Sequence, residues 1–161
     1  MNSEDSYVSA VCQITAADKY TAIRQVIDRC AVFATMVDRT SFTQEVIRRE
    51  KLQSTGIGHG VAIAHGSVAG LDRVHIALGI SGEGLSYESF DNKPVHLLFV
   101  IASAPELQTE YLGALAAILR AVHDKRVREG LLAWEHTGES GQVIDFLAMM
   151  ESQQFAADRR Q

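Results

Sequence analysis

Three short runs of apolar and β-branched residues in the middle of the chain constrain its fold more than any other feature. They are Val61–Ala64, Val74–Ile80 and Val95–Ala102. Glycine-rich or polar segments, including GSVAG and residues 82–93, separate them. Runs of this length and composition, bounded by turn residues, predict β-strands. Strands this apolar need covering layers, and the flanking sequence supplies helices.

Helical periodicity precedes the strands. From Asp18 to about Val37, apolar residues recur on one helical face, and either Asp18 or Thr15 can serve as the N-cap. A second helix follows, and Ser41 and Gln44 form a capping box at its start. The inward residues of this second helix are predicted to be Val46, Ile47 and Leu52.

Helical periodicity also follows the strands. Apolar residues at positions 112, 115, 119 and 122 predict one helix, and further helices are expected over Lys125–Ala133 and Gly141–Met150. The last ten residues are expected to be frayed. The order of elements predicts an α/β fold, a mixed β-sheet flanked by helices, as a single domain over residues 1–161 with its core at about 19–150.

Composition narrows the functional classes. A chain of 161 residues with 47% hydrophobic residues can bury one core. A formal net charge of -5 and the lack of a basic run with interleaved aromatics disfavour nucleic acid as a partner. The polar, acidic N-terminus does not resemble a signal peptide and no apolar run approaches a membrane span, so a cytoplasmic protein is expected. Cys12 and Cys30 have no metal-ligand spacing and are interpreted as reduced core thiols.

The stretch STGIGHGVAIAHG, residues 54–66, holds two histidines and four glycines without a formal charge. It is not a dinucleotide fingerprint, because its glycines are spaced GxGxG and follow a charged helix. It is not a P-loop, because no Gly-Lys-Ser/Thr follows. Zinc is disfavoured, since His59 and His65 would be ~20 Å apart in an extended chain. No metal and no cofactor is predicted.

A phosphate site fits the stretch better. Glycines allow backbone N–H groups to converge on an oxyanion, and Ser54 and Thr55 can add hydroxyl donors. A neutral imidazole at the edge of such a site is a competent phosphoryl acceptor, and Arg49 lies within reach along the chain. From these residues alone, two interpretations stay open: a phospho-acceptor histidine, or an ordinary half-exposed ring.

The longer segment RREKLQSTGIGHGVAIAHG resembles the active-site signature of enzyme IIA of the bacterial phosphotransferase system, in its fructose, mannitol and nitrogen-regulatory class. FDNKPVHLLFVIASAP and GLDRVHIALGIS resemble two further segments of that family. The resemblance covers the order of elements from about Lys19 to Met150. It implies the family's sandwich of a mixed sheet and helices, and a phosphohistidine intermediate.

By position, the resemblance makes His65 the phospho-acceptor and Arg49 the cation that faces the phosphate. It makes Ser54, Thr55 and the backbone from Gly56 through Gly58 to Gly60 the supporting phosphate-binding residues. A histidine-containing phosphocarrier protein is the implied donor. His75, His96, His123 and His136 are expected to have ordinary packing or surface roles.

The sequence departs from the family pattern at three positions. Ala64 replaces the usual proline before the acceptor, and His59 replaces the usual asparagine. Tyr111 stands where family members commonly carry a second active-site histidine. We therefore expect Tyr111 to be the main substitute for that imidazole and His59 a secondary one.

Three functions follow from the resemblance. The chain has no IIB-type cysteine site, which favours a phosphorylation-state regulator of the nitrogen-related type that is read by a regulatory target protein. The first alternative is a sugar-specific IIA component that donates to a fructose- or mannitol-type IIB. The second is a non-catalytic binding module on the same fold, which the missing second histidine favours.

Overall fold

The structure is a computed structural model that describes residues 7–137, with side chains described over residues 9–133. Within this range, five strands form one mixed sheet: β1 (Tyr7–Gln13), β2 (Gly56–Gly58), β3 (Val61–Ser67), β4 (Val74–Leu85) and β5 (Val95–Ser103). The helices are α1 (Lys19–Arg29), α2 (Arg39–Leu52), α3 (Gln108–His123) and α4 (Lys125–Thr137). The strand order is β1-β4-β5-β3-β2. The β1–β4 and β3–β5 pairs are parallel, and the other two pairs are antiparallel.

The predicted mixed sheet with flanking helices is confirmed. The three predicted strands exist as β3, β4 and β5, although β4 continues to Leu85 instead of ending at Ile80. Sequence analysis missed β1 and β2. The partner of β1 is β4, which lies beyond α1 and α2 in sequence, and β2 has only three residues. Neither strand carries enough local pattern to be recognised.

Alternation along β3 decides where the histidine of that strand points. Val61 and Ile63 belong to the apolar core under α3 and α4, whereas Ala62 and Ala64 belong to the core under α1 and α2. Successive side chains of a strand point to opposite faces, so His65 lies on the α3 side of the sheet.

Two helix boundaries differ from the prediction. The first helix ends at Arg29 rather than near Val37, because Cys30 adopts an extended conformation and a short 3-10 helix over 31–33 follows. The second helix begins at Arg39, because the Asp38 carboxylate accepts the backbone N–H of Ser41 at 3.2 Å. Asp38 therefore takes the N-cap role that was predicted for Ser41.

The faces of two helices also correct the prediction. The sheet-facing side of α3 consists of Ala114, Ala117, Ile118, Ala121 and Val122. Leu112 and Leu119 are 52% and 41% exposed, and Leu52 of α2 is 74% exposed rather than inward. Small alanines bring α3 close to the sheet, and the leucines are left at its edge.

The predicted helix over 125–133 is confirmed as α4. The predicted helix Gly141–Met150 and the final residues lie outside the described part of the chain. Among the helices within residues 7–137, none combines the length and apolar character that crossing a bilayer requires.

Candidate active site

A cavity of about 460 Å³ opens where the end of α2, strand β3 and the start of α3 meet. The residues that line it are Arg49, Leu52, Gln53, Ser54, Thr55, Ile57, Ile63, His65, Tyr111, Leu115 and Leu119. The structure thus brings together the predicted acceptor, the predicted cation, both predicted hydroxyl residues and the tyrosine. Arg49 lies in α2, His65 in β3 and Tyr111 in α3, while Ser54 and Thr55 lie in the connection between α2 and β2.

His65 is half-buried in this cavity, and its surroundings favour the neutral ring. Burial and the positive charge of Arg49 lower the pKa of His65 below its usual value. A hydrogen bond to the backbone of Ile63 and the charges of Glu50 and Glu45 act in the opposite direction and are weaker. In a neutral imidazole one ring nitrogen carries the proton. The other nitrogen keeps its lone pair, as a nucleophile requires.

Arg49 lies in the last turn of α2 and its side chain is 41% exposed. Its Nε donates to Glu45 Oε1 at 2.9 Å, and Arg48 binds the same carboxylate with its Nε and one terminal amino group. These contacts lower the pKa of Glu45 to about 2, so that carboxylate is charged at neutral pH. Within the described residues, no hydrogen bond engages the terminal amino groups of Arg49. They are available to an anion in the cavity.

The two neighbouring arginines face different places. Arg48 lines a separate groove of about 590 Å³ between α1 and α2, which contains none of the predicted site residues. That groove is larger, but the imidazole and its partners lie in the smaller cavity. Arg49 is therefore the member of the pair that serves the candidate site.

Tyr111 of α3 packs against the His65 ring. The two ring centroids are 5.4 Å apart, with an angle of 40° between the planes. Burial raises the pKa of Tyr111, and the charge of Arg49 opposes that shift. The hydroxyl is therefore protonated at neutral pH and can donate a hydrogen bond.

The two hydroxyl residues correct the sequence analysis. Ser54 Oγ donates to the backbone oxygen of Glu88. Thr55 Oγ1 donates to Glu50 Oε2 at 2.6 Å. A hydroxyl has one proton, and in both residues it is already used by another protein group. Ser54 and Thr55 line the cavity, but they do not offer the free hydroxyl donors that the sequence predicts.

The glycines do not form the expected nest at His65. Gly58, His59 and Gly60 have φ of 93°, 57° and 77°, and they belong to the tight turn that joins β2 to β3. His59 N–H donates to Asp91 Oδ2 at 3.0 Å, and none of these three residues is among the described residues that line the cavity. Gly56 packs against another segment, since a Cβ there would lie 2.6 Å from Ser89 Oγ.

The conformation of this turn explains why a histidine can occupy position 59. The two central residues of this turn, His59 and Gly60, both have positive φ. Histidine, like asparagine, tolerates that conformation better than most residues. His59 is exposed and lies just before the start of β3, whereas His65 lies near the end of that strand. The geometry therefore gives His59 a role in the turn and does not support its predicted secondary role beside the acceptor.

The sequence model of the family described as the phosphoenolpyruvate-dependent sugar phosphotransferase system, EIIA 2, matches residues 7–148. The chain belongs to this family. Its fold is shared by solved enzyme IIA structures. It superposes on the nitrogen regulatory protein IIA-Ntr of Neisseria meningitidis with a TM-score of 0.64 and 25% identity, over 80% of this chain and 88% of that one. It superposes on the complex of enzyme IIAMTL and phosphorylated enzyme IIBMTL from Escherichia coli with a TM-score of 0.67 and 25% identity, over 84% of this chain and 93% of the matched chain.

Curated relatives of this IIA-type chain include sugar-specific components and nitrogen regulatory proteins. The fructose-specific EIIABC component of Bacillus subtilis is 32% identical over 122 residues, which is 76% of this chain but only 19% of that longer protein. The fructose-specific EIIA component of Haloferax volcanii is 30% identical over 74% of this chain and 77% of its own length. A nitrogen regulatory protein of Bradyrhizobium diazoefficiens is 30% identical over 71% of this chain and 74% of its own length.

Sequence analysis of this IIA-type chain missed one group of residues behind the cavity. Glu50 is buried, with Lys19 and Tyr87 beside it, and it binds Thr55. Glu50 lies in a run of charges at a helix end, which is the pattern of a solvent-exposed surface. Its only sequence signal is its position directly after Arg49.

Proposed function

We propose that this protein is a phosphocarrier of the phosphotransferase system and that His65 accepts the phosphoryl group from a histidine-containing phosphocarrier protein. The observation that carries the proposal is the neutral, half-buried imidazole with Arg49 and Tyr111 around it in one cavity. Family membership supports the phosphotransfer chemistry, since IIA domains are phosphotransfer components.

The proposed step is an in-line exchange between two imidazoles. The lone pair of the unprotonated His65 nitrogen attacks the phosphorus, and the P–N bond to the donor histidine breaks. The electron pair of that bond returns to the donor ring. Arg49 stabilises the charge on the phosphoryl oxygens through its terminal amino groups, and this kind of preorganised contact lowers the barrier to phosphoryl transfer.

Tyr111 takes the place of the second imidazole in this proposal. Its hydroxyl donates to the phosphoryl group on His65, which gains from a nearby donor once it carries about two negative charges. Two observations support this role. The rings of Tyr111 and His65 pack together, and the charge of Arg49 acts on both residues.

For the destination of the phosphoryl group, we favour a phosphorylation-state regulator. Similarity to nitrogen regulatory proteins in sequence and in structure supports it. The second candidate is donation to a fructose- or mannitol-type IIB. Two observations favour that candidate: similarity to fructose-specific relatives, and a structural match to a IIA chain that was solved in complex with its phosphorylated IIB.

The test is incubation with phosphoenolpyruvate, enzyme I and the phosphocarrier protein, followed by intact mass and peptide mapping. One phosphoryl group is expected on His65, lost in mild acid and retained in base, as for an N–P bond. His65→Ala should abolish labelling. Label that persists in His65→Ala contradicts the assignment, and absence of label in the wild type favours a non-catalytic binding module. Transfer from the labelled protein to an added IIB distinguishes the two destinations.

A further inference from the structure

A buried polar cluster lies directly behind the wall of the cavity. Glu50 is 2% exposed, and Lys19 of α1 is 8% exposed. Lys19 Nζ lies 3.4 Å from Glu50 Oε1 and 5.2 Å from the centroid of the Tyr87 ring. The cluster is a charge pair held inside the protein, where loss of one partner leaves the other uncompensated.

Both oxygens of Glu50 hold Thr55. Oε1 accepts the backbone N–H of Thr55 at 3.0 Å, and Oε2 accepts its hydroxyl at 2.6 Å. The hydroxyl of Tyr87 lies 2.8 Å from Thr55 Oγ1. Because the threonine proton goes to the carboxylate, Tyr87 is the donor in that contact. Hydrogen bonds to a charged acceptor are short and strong, so Thr55 has little freedom.

Thr55 connects this cluster to the acceptor. Its backbone oxygen accepts the N–H of Ile63 at 3.2 Å, and the backbone of Ile63 acts on the His65 ring by raising its pKa. Glu50 also directly follows Arg49 in the last turn of α2. Hydrogen bonds therefore run from Glu50 through Thr55 to Ile63, which lies two residues before His65 in β3 and on the same face of the sheet.

We propose that Glu50 is a positioning residue for phosphoryl transfer, whose carboxylate is anchored by Lys19 and fixes Thr55, and thereby the His65 ring, relative to Arg49. This inference rests on the proposed function of His65. Three donors converge on the carboxylate: the backbone N–H and the hydroxyl of Thr55, and the ammonium group of Lys19. An amide offers only one acceptor oxygen, so glutamine cannot satisfy all three.

The first test measures transfer from the phosphorylated phosphocarrier protein. Glu50→Gln is expected to slow phosphorylation of His65 at least tenfold, with the KM for the donor within twofold of wild type, because the buried residue does not reach the donor. Thr55→Val should show a similar loss, and Thr55→Ser should recover most of the rate because serine keeps the hydroxyl. Glu83→Gln, at an exposed acid outside the cavity lining, is the matched control and should behave as wild type.

A double variant separates positioning from stability. Lys19→Met with Glu50→Gln removes both charges, so its denaturation midpoint should rise above that of Glu50→Gln alone. Transfer should remain slow, because Thr55 still lacks one of the two acceptor oxygens that hold it in the wild type. A double variant that regains both stability and rate overturns the proposal, as does a wild-type rate for Glu50→Gln.

The second test needs no phosphate donor. In ¹⁵N spectra of the His65 ring above its pKa, the wild type should show one tautomer, while Glu50→Gln and Thr55→Val should show a mixture. If the wild type is not phosphorylated, the proposed function fails, but these spectra still test the positioning role. The same single tautomer in all three proteins overturns the inference.

Discussion

At the scale of single residues, the cavity depends on charges that act on one imidazole in opposite directions. Burial and Arg49 lower the pKa of His65, while Glu45 and Glu50 raise it less. Glu45 also binds Arg49 directly, so the same acid that weakens the effect of the cation fixes its position. The balance favours a neutral ring at neutral pH, which is the form that can attack phosphorus.

Arg49→Ala is expected to slow phosphorylation of His65 by about 10²-fold, since one preorganised charge-assisted contact in the transition state is typically worth a few kcal/mol. Arg49→Lys should recover only part of the rate, because lysine lacks the planar guanidinium group that binds two phosphate oxygens at once. Arg48→Ala is the matched control, since Arg48 binds the same Glu45 but lines the other groove. Rapid-quench phosphorylation assays measure the rates.

The pH dependence of the phosphorylation rate in wild type and Arg49→Ala shows the direction in which the Arg49 charge shifts the pKa of His65. The rate should fall as the pH drops through the pKa of His65, with a wild-type midpoint below the usual value of about 6.5. Removing the positive charge in Arg49→Ala should move that midpoint upward, because Glu45 and Glu50 then act without opposition. Equal rates and equal midpoints in Arg49→Ala and wild type would place Arg49 outside the mechanism.

Tyr111→Phe is expected to reduce the phosphorylation rate and the lifetime of the phosphohistidine about tenfold, the effect of one hydrogen bond to a charged group at ~1.5 kcal/mol. The phenylalanine ring keeps the packing against His65, so the loss reports on the hydroxyl. His59→Asn is the comparison and should leave both quantities unchanged, since His59 lies in the turn. Unchanged behaviour of Tyr111→Phe would mean that a single imidazole suffices.

The structure brings the predicted acceptor, the predicted cation and the tyrosine into one cavity, but sequence analysis misjudged the hydroxyls and the glycines. The reason is that a sequence pattern does not show which protein groups these residues contact in the fold. Ser54 and Thr55 bind Glu88 and Glu50 rather than solvent, and a pattern of neighbours along the chain cannot show a proton that is already donated. The glycines were correctly recognised as special backbone positions, but they serve a turn and a close contact.

At the scale of elements, periodicity predicted which segments are helices and strands better than it predicted their faces. The leucine repeat of α3 identified a helix, but alanines face the sheet and Leu112 and Leu119 remain exposed. A hydrophobic repeat indicates an apolar face without saying whether the protein core or a partner covers it. Strand β1 was missed because its pairing with β4 is non-local.

The contact of α2 with β3 sets the distance between Arg49 and His65, and Gly66 permits it. A Cβ at Gly66 would lie 2.9 Å from Val46 Cγ2 and 3.2 Å from the Phe42 ring, and both side chains are buried. Gly66→Ala is therefore expected to cost about 1–3 kcal/mol of unfolding free energy, by overpacking. Denaturant titration measures it, with Ser67→Ala as the control. A stability equal to wild type would show that α2 shifts freely.

At the scale of the whole molecule, the sheet brings residues from α2, β3 and α3 to one opening, and that opening is apolar at its edge. Leu52, Leu119 and Ile57 line the cavity and are 74%, 41% and 39% exposed. Exposed apolar residues grouped around a reactive group are typical of a surface that a partner covers. In a phosphocarrier, the partner must approach closely enough for two imidazoles to share one phosphoryl group.

Leu52→Ser is therefore expected to raise the KM for the phosphocarrier protein about tenfold, because a leucine side chain that becomes buried on binding contributes roughly 1.5 kcal/mol or more. The kcat should stay within twofold, since Leu52 carries no charge or hydrogen bond that acts on the phosphoryl group. Val37→Ser is the matched control, because Val37 is 103% exposed but lies outside the residues that line the cavity. Steady-state phosphorylation at varied donor concentration measures both constants. If the KM rises equally in both variants, or rises in neither of them, the donor docks on another surface.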